Sequence, residues 1–258
     1  MIINLSNISK SYFITDGITK KVINDLSLQL NFKDNKFISL VAPFGSGKTT
    51  LLKIISRLIN YDSGKIIVNE EELSNSNKRI VYIPSQSVSI PWLNVEDNIR
   101  FELSNNISDD KLNFIISLIG LEGYDKHIPH KSGFGFRFRI SLGRALVSNP
   151  DLILIDEPFN KIDSLTKEEI LSLMRNVIEN TEVKFLLATS NIIDAAFISD
   201  EIIFISKEKN EVKVQIKIEE KFSSFKELLS SEKFAEIFSK IKNILAEDSA
   251  FQIKDFSV

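Results

Sequence analysis

The chain has 258 residues, 43% hydrophobic and 26% charged, enough for one large α/β domain or a domain with a smaller lobe around a sizeable core. A net charge of −3 argues against a general nucleic-acid binder, and the lack of Cys excludes disulfides and thiol chemistry. Met1-Ile2-Ile3-Asn4-Leu5-Ser6 has no basic segment followed by an apolar run, so no signal peptide is expected, and no apolar run nears the roughly 20 residues that span a bilayer.

Residues 2–9 and 22–32 alternate apolar and polar, with Leu26, Leu28, Leu30 and Phe32 on one face, which predicts half-buried strands. Phe37 to Val41 is a short apolar run followed by a glycine-containing turn and a helical pattern from Lys48 to about Ile59. Asp62-Ser63-Gly64 reads as a turn, and Lys65 to Asn69 as a strand. A helical block fills 93–148: Val95 to Leu103, then a helix capped by Ser108 and stopped by Gly120, then Arg137 to Val147. The rest alternates: strand Leu152–Asp156, helix Leu165–Asn180, strand Phe185–Thr189, helix Asn191–Ile198, strand Glu201–Ser206. That alternation predicts an α/β fold with a mostly parallel sheet and an antiparallel β edge. The expected domains are a core of 1–92 with 149–218, an inserted helical lobe of 93–148, and a helical tail of 219–258 carrying Phe234, Ile237 and Phe238 at helical spacing.

Two motifs carry chemistry. Ala42-Pro43-Phe44-Gly45-Ser46-Gly47-Lys48-Thr49 follows G-x-x-x-x-G-K-[ST], with Ala42 in place of the first glycine. Gly45 and Gly47 let the backbone curl so that N–H groups face phosphate oxygens, and the helix beginning near Lys48 adds its positive end. Lys48 is expected on the β- and γ-phosphates of ATP and Thr49 on Mg²⁺, with Phe44, Ser46 and Thr50 completing the contact. The second motif is Leu152-Ile153-Leu154-Ile155-Asp156-Glu157-Pro158, an apolar strand delivering two carboxylates. Asp156 is expected to hold Mg²⁺ through water and Glu157 to act as general base on the attacking water.

With these motifs the chain resembles the ABC transporter ATPases, most of all the nitrate/sulfonate/taurine-type importer subunits, over roughly residues 2–206. The resemblance also rests on Asn7-Ile8-Ser9-Lys10-Ser11-Tyr12, on Ile90-Pro91-Trp92-Leu93-Asn94-Val95, on Ile140-Ser141-Leu142-Gly143-Arg144-Ala145-Leu146 and on Asp163. It implies a P-loop NTPase of ABC ATPase type, with Tyr12 stacking on adenine. It also implies work at the cytoplasmic face of the cell membrane. The implied partners are a transmembrane permease subunit, a second ATPase subunit in a homo- or heterodimer, and a solute-binding protein; no nucleic acid is implied.

Four positions depart from that family pattern. The family's Gln falls on Ser85, one residue before Gln86. Either Gln86 serves through a one-residue deletion, as γ-phosphate sensor and Mg²⁺ contact, or the sensor is lost; the adopted reading is Gln86. The signature Leu-Ser-Gly-Gly-Gln is replaced by Ser132-Gly133-Phe134-Gly135-Phe136, which sets the Ser on Gly133 and the first Gly on Phe134. The switch histidine falls on Ser190 in Thr189-Ser190-Asn191, and the only histidines, His127 and His130, lie upstream. Of the dimer loop, Asn160-Lys161-Ile162-Asp163 keeps only the Asp. Two functions therefore stand: a working transport ATPase, or a catalytically impaired ATP-binding subunit that pairs with a competent one.

Overall fold

The computed structural model describes residues 1–14, 17–86, 89–101, 107–159, 162–206 and 211–246, and the side chains of 240 and 242–246 fall outside that description. The chain divides into two compact units, Met1–Ser76 with Leu187–Val258, and Asn77–Leu186.

The first unit opens with two long strands, β1 (Ile2–Phe13) and β2 (Thr19–Asn31), which pair antiparallel. Ile3 faces Leu30, Leu5 faces Leu28 and Ile8 faces Leu26, all buried. The step from Leu5 to Ile8 breaks the two-residue period, and a bulge absorbs it. Asn7 and Asp25 take left-handed backbone there, with φ of 53° and 57°, and the Asn7 Nδ2 donates to Asp25 Oδ1 at 2.9 Å. Beyond β3 (Phe37–Val41) and α1 (Lys48–Ile55) comes β4 (Ser63–Val68), two residues earlier than the turn signal implied. Gly64 is the reason the turn and strand merge: its φ is +105° and a side chain would meet the Asn7 carbonyl oxygen at 2.5 Å. With β5 (Glu71–Glu72) these strands form an antiparallel sheet in the order β2-β1-β4-β5.

The same unit carries β9 (Glu201–Ile205) and β10 (Val212–Lys217), in the order β10-β9-β3 and then the 187–189 end of β8 (Lys184–Thr189). β3 runs parallel to β9, and β10 returns antiparallel. Helix α6 (Ile192–Ile198) and the tail helices α7 (Phe225–Ser230) and α8 (Glu232–Ala246) complete it. Every residue of β3 and β9 is buried, as expected for strands covered on both faces.

In the second unit β6 (Ile80–Ile83) pairs parallel with β7 (Leu152–Asp156), and β7 neighbours the start of β8. Its helices are α2 (Val95–Arg100), α3 (Asp109–Leu118), α4 (Phe134–Val147) and α5 (Ser164–Asn180). The block 93–148 lies wholly in this unit. The expected helix end at Leu103 and the dimer-loop residues Asn160 and Lys161 lie outside the described residues. Among the described residues no helix is long and apolar enough to cross a membrane.

Candidate functional site

In the first unit β3 ends at the phosphate loop. Ala42 is fully buried, its N–H donates to the Thr189 carbonyl at 3.3 Å, and it is absent from the residues of positive φ. A side chain at the usual first-glycine position therefore costs no backbone strain. Gly45 and Gly47 carry the left-handed turns instead, with φ of 78° and 93°. A Cβ on Gly47 would meet the Val22 carbonyl oxygen at 3.0 Å, so this glycine is required by both conformation and space.

Gly47 is the N-cap of α1 and supplies no side-chain hydrogen bond to it. Five other helices are capped differently. Asn94, Ser108, Asp163, Asn191 and Ser224 each accept from a first-turn amide of their own helix. The start of α1 thus carries no side-chain cap of its own, and a helix N-terminus of this kind suits phosphate. The Ser46 hydroxyl points the same way, because its oxygen is buried without a hydrogen-bond partner.

Lys48 is buried, and its Nζ donates to the carbonyls of Ala42 at 2.7 Å and Pro43 at 3.0 Å. The ammonium is therefore docked on its own loop. Thr49 is exposed, whereas Thr50 faces inward with its Oγ1 3.4 Å from the Tyr12 hydroxyl. That contact anchors the Tyr12 ring, 38% exposed, while the Lys10 ammonium sits 5.7 Å from its centre. Phe44 is 82% exposed at the loop tip. Ser190 follows β8 in this unit, half-buried ahead of the Asn191 cap of α6.

The second unit holds the carboxylates. All of β7 is buried, which is why an all-apolar run precedes Asp156. Asp156 Oδ2 accepts a hydrogen bond from the Tyr82 hydroxyl at 2.9 Å. Burial, and then the Asp156 charge, push the Tyr82 phenol well above its ordinary value, so it remains a proton donor. Glu157 follows the strand with φ of 38°, a conformation that costs a residue with a side chain about 1–2 kcal/mol. Gln86 lies exposed in the bend after β6.

The signature segment turns out to be the first turn of α4. Gly133 is its N-cap, with no side-chain bond, and Phe134, Gly135 and Phe136 are helical. The Phe136 ring packs edge-on against Tyr124 and His127, with centroids 5.6 Å and 5.2 Å away. Ser132 precedes the cap and its hydroxyl lies 3.2 Å from His127 Nε2, so it is engaged away from the helix start. Gly135 fits closely on α5, where a Cβ would stand 3.0 Å from the Thr166 methyl. Phe134 stacks over Phe138, which in turn meets Phe159 at 5.7 Å.

Two side-chain contacts escaped sequence reasoning. One is the Tyr82 hydroxyl on Asp156, whose only signal was a tyrosine in an otherwise apolar strand. The other is Asn98, fully buried, whose amide donates to the carbonyls of Ile90, Leu93 and Asn94 while its Oδ1 accepts from the Ile90 amide. Arg144 on α4 also donates to that oxygen at 2.7 Å, tying α4 to the loop that presents Trp92, 76% exposed.

The chain matches the ABC transporter family model over residues 24–160. It is 30% identical over 243 residues to the aliphatic sulfonates import ATP-binding protein SsuB of Bacillus cereus, covering 93% of this chain and 94% of that one. It is 26% identical to the taurine import ATP-binding protein TauB of Roseobacter denitrificans, over 79% of this chain and 77% of that one. Among solved structures, the dimeric MJ0796, a bacterial ABC transporter cassette, superposes with a TM-score of 0.70 at 25% identity, covering 84% of this chain and 99% of that chain. With its curled phosphate loop, its strand-end carboxylates and these likenesses, the chain belongs to the ABC transporter family, as an ATP-binding, P-loop α/β subunit.

Proposed function

We propose that this chain couples the binding and hydrolysis of ATP to import of a small sulfonate- or taurine-like solute, from the cytoplasmic face of the membrane. The observation that carries the ATP reading is the phosphate loop: left-handed Gly45 and Gly47, an α1 start with no side-chain cap, and a buried Ser46 hydroxyl with no partner. The solute class comes from the names of the relatives alone. Spanning and solute capture fall to other chains, a permease and a solute-binding protein, and a second ATPase subunit completes the dimer.

Tyr12 would hold the adenine ring, its orientation fixed through Thr50. Lys48 leaves the carbonyls of Ala42 and Pro43 to pair with the β- and γ-phosphates, with Phe44, Gly45, Ser46, Gly47 and Thr50 lining the contact. Thr49 in one unit, and Asp156 and Gln86 in the other, each offer a hard oxygen of the kind Mg²⁺ takes. Bound there, Mg²⁺ would neutralise charge building on the phosphate oxygens. Glu157 would take a proton from the attacking water, and Gln86 would report the γ-phosphate.

A second reading is favoured by specific residues. Ser190 cannot carry the positive charge that the family's histidine brings to the transferring phosphoryl group. Phe134 sets a ring where the family has a glycine, and Gly133 removes the hydroxyl. These changes favour a subunit that binds ATP well and turns it over slowly unless a competent partner completes the sites.

The experiment is ATP binding and hydrolysis by the purified chain, with and without its partner subunits, beside Glu157→Gln. Saturable Mg²⁺-dependent binding is expected, with hydrolysis lost in Glu157→Gln. Absence of ATP binding would sink the assignment; hydrolysis untouched by Glu157→Gln would remove Glu157 from its role.

A further inference from the structure

We propose that Tyr82 is a positioning residue for the metal: its hydroxyl orients the Asp156 carboxylate for the nucleotide-bound Mg²⁺. This rests on the reading above that Asp156 is a metal ligand.

The geometry comes from strand register. β6 and β7 run parallel, with Tyr82 opposite Leu154 and Ile83 opposite Ile155. Asp156 is thus two residues beyond the position facing Tyr82, and an aromatic side chain leaning along its strand covers that distance. The phenol oxygen reaches Asp156 Oδ2 at 2.9 Å, a good charge-assisted bond. Both partners lie in the same compact unit.

Chemistry makes the choice of residue specific. The other side chains of β6, Ile80, Val81 and Ile83, are aliphatic, and Phe would fill the volume of Tyr82 equally well. The hydroxyl is the only side-chain polar atom on the strand, and it is spent on a carboxylate that is 2% exposed. A carboxylate so placed keeps its charge only with donors around it. A donor on one oxygen also fixes the plane of the group and therefore the direction in which its lone pairs face a cation. Partners of this kind change metal affinity by about 10- to 100-fold when removed.

The test uses the full chain and a fluorescent ATP analogue, titrated with Mg²⁺ and, separately, measured in EDTA. Tyr82→Phe is expected to raise the Mg²⁺ concentration at half-maximal effect by about tenfold, with binding in EDTA unchanged. Tyr82→Met, which also lacks the hydroxyl, gives the same shift and serves if the Phe variant is unstable. Asp156→Asn is the control and is expected to shift the Mg²⁺ dependence further. A shift in Asp156→Asn with none in the Tyr82 variants overturns the inference and leaves the metal reading standing. No shift in Asp156→Asn overturns the metal reading and the inference with it. An equal loss in EDTA and in Mg²⁺ for Tyr82→Phe shows a role in folding alone and also overturns the inference.

Discussion

Two helices in this molecule start at a glycine that offers no side-chain cap, and their surroundings differ sharply. At α1 the glycine is left-handed, a serine hydroxyl is buried without a partner, and a lysine waits on two carbonyls. At α4 the glycine has ordinary extended backbone and open space around it, and the first turn is filled by Phe134 and Phe136. Both starts lack a side-chain cap, but only the first has a buried hydroxyl and a lysine ammonium beside it. The lesson is that an open helix start is permissive; the side chains around it decide whether an anion is held and acted on. In this chain the loop proposed to hold nucleotide keeps its curl, and the positions proposed to act on the γ-phosphate, Ser190 and the α4 start, depart from the family pattern.

The strongest break of the comparison is at the phosphate loop. Lys48→Ala is expected to weaken ATP binding by about 10- to 150-fold, the worth of a hydrogen bond to a charged group at about 1.5–3 kcal/mol, as read by equilibrium titration. Gly47→Ala is expected to damage binding as well, because φ of 93° and the Val22 oxygen at 3.0 Å oppose a methyl group. Binding unchanged in Gly47→Ala would mean the loop is not held in this curl.

The opposite region is sharpened by restoring what it lacks. Ser190→His is expected to raise the hydrolysis rate by about 10²-fold, the scale of one transition-state donor, with little change in ATP affinity. If the rate does not move, the α4 start and not Ser190 limits turnover. The smallest effect is expected for Gly133→Ser. A serine N-cap adds only a few tenths of a kcal/mol to helix stability over glycine, so the melting temperature rises slightly and ATP affinity stays the same. A large affinity gain there would contradict the division drawn between the two helix starts.

Much of this was legible from the residues. β7 begins with its apolar run and ends one residue past it at Asp156, as read, because a strand buried on both faces tolerates no polar residue before Asp156. The cap Ser108 also fell where its side chain predicted. The failures have physical causes. α1 stops at Ile55 rather than near Ile59, since Arg57 takes φ of 63° and the apolar Leu58 is exposed, so the apolar pattern outruns the helix. α4 starts three residues earlier than Arg137 because glycine and phenylalanine carry no start signal, and packing of Phe136 on Tyr124 and His127 sets the turn. The strand β10 was missed because its residues stay partly exposed and its pattern is weak. The Tyr82–Asp156 bond depends on which strands lie side by side, and local sequence does not contain that. The curl of the phosphate loop was readable because the glycine-lysine spacing reflects backbone geometry. The state of the α4 start was readable only as a departure.

The most direct test is ATP binding and steady-state hydrolysis measured on one preparation, for the unaltered chain and Ser190→His. The account predicts saturable, Mg²⁺-dependent binding in both, slow turnover in the unaltered chain, and a large rate increase in Ser190→His. Turnover by the unaltered chain alone at an ordinary enzyme rate of about 10 s⁻¹, unmoved by Ser190→His, would contradict it.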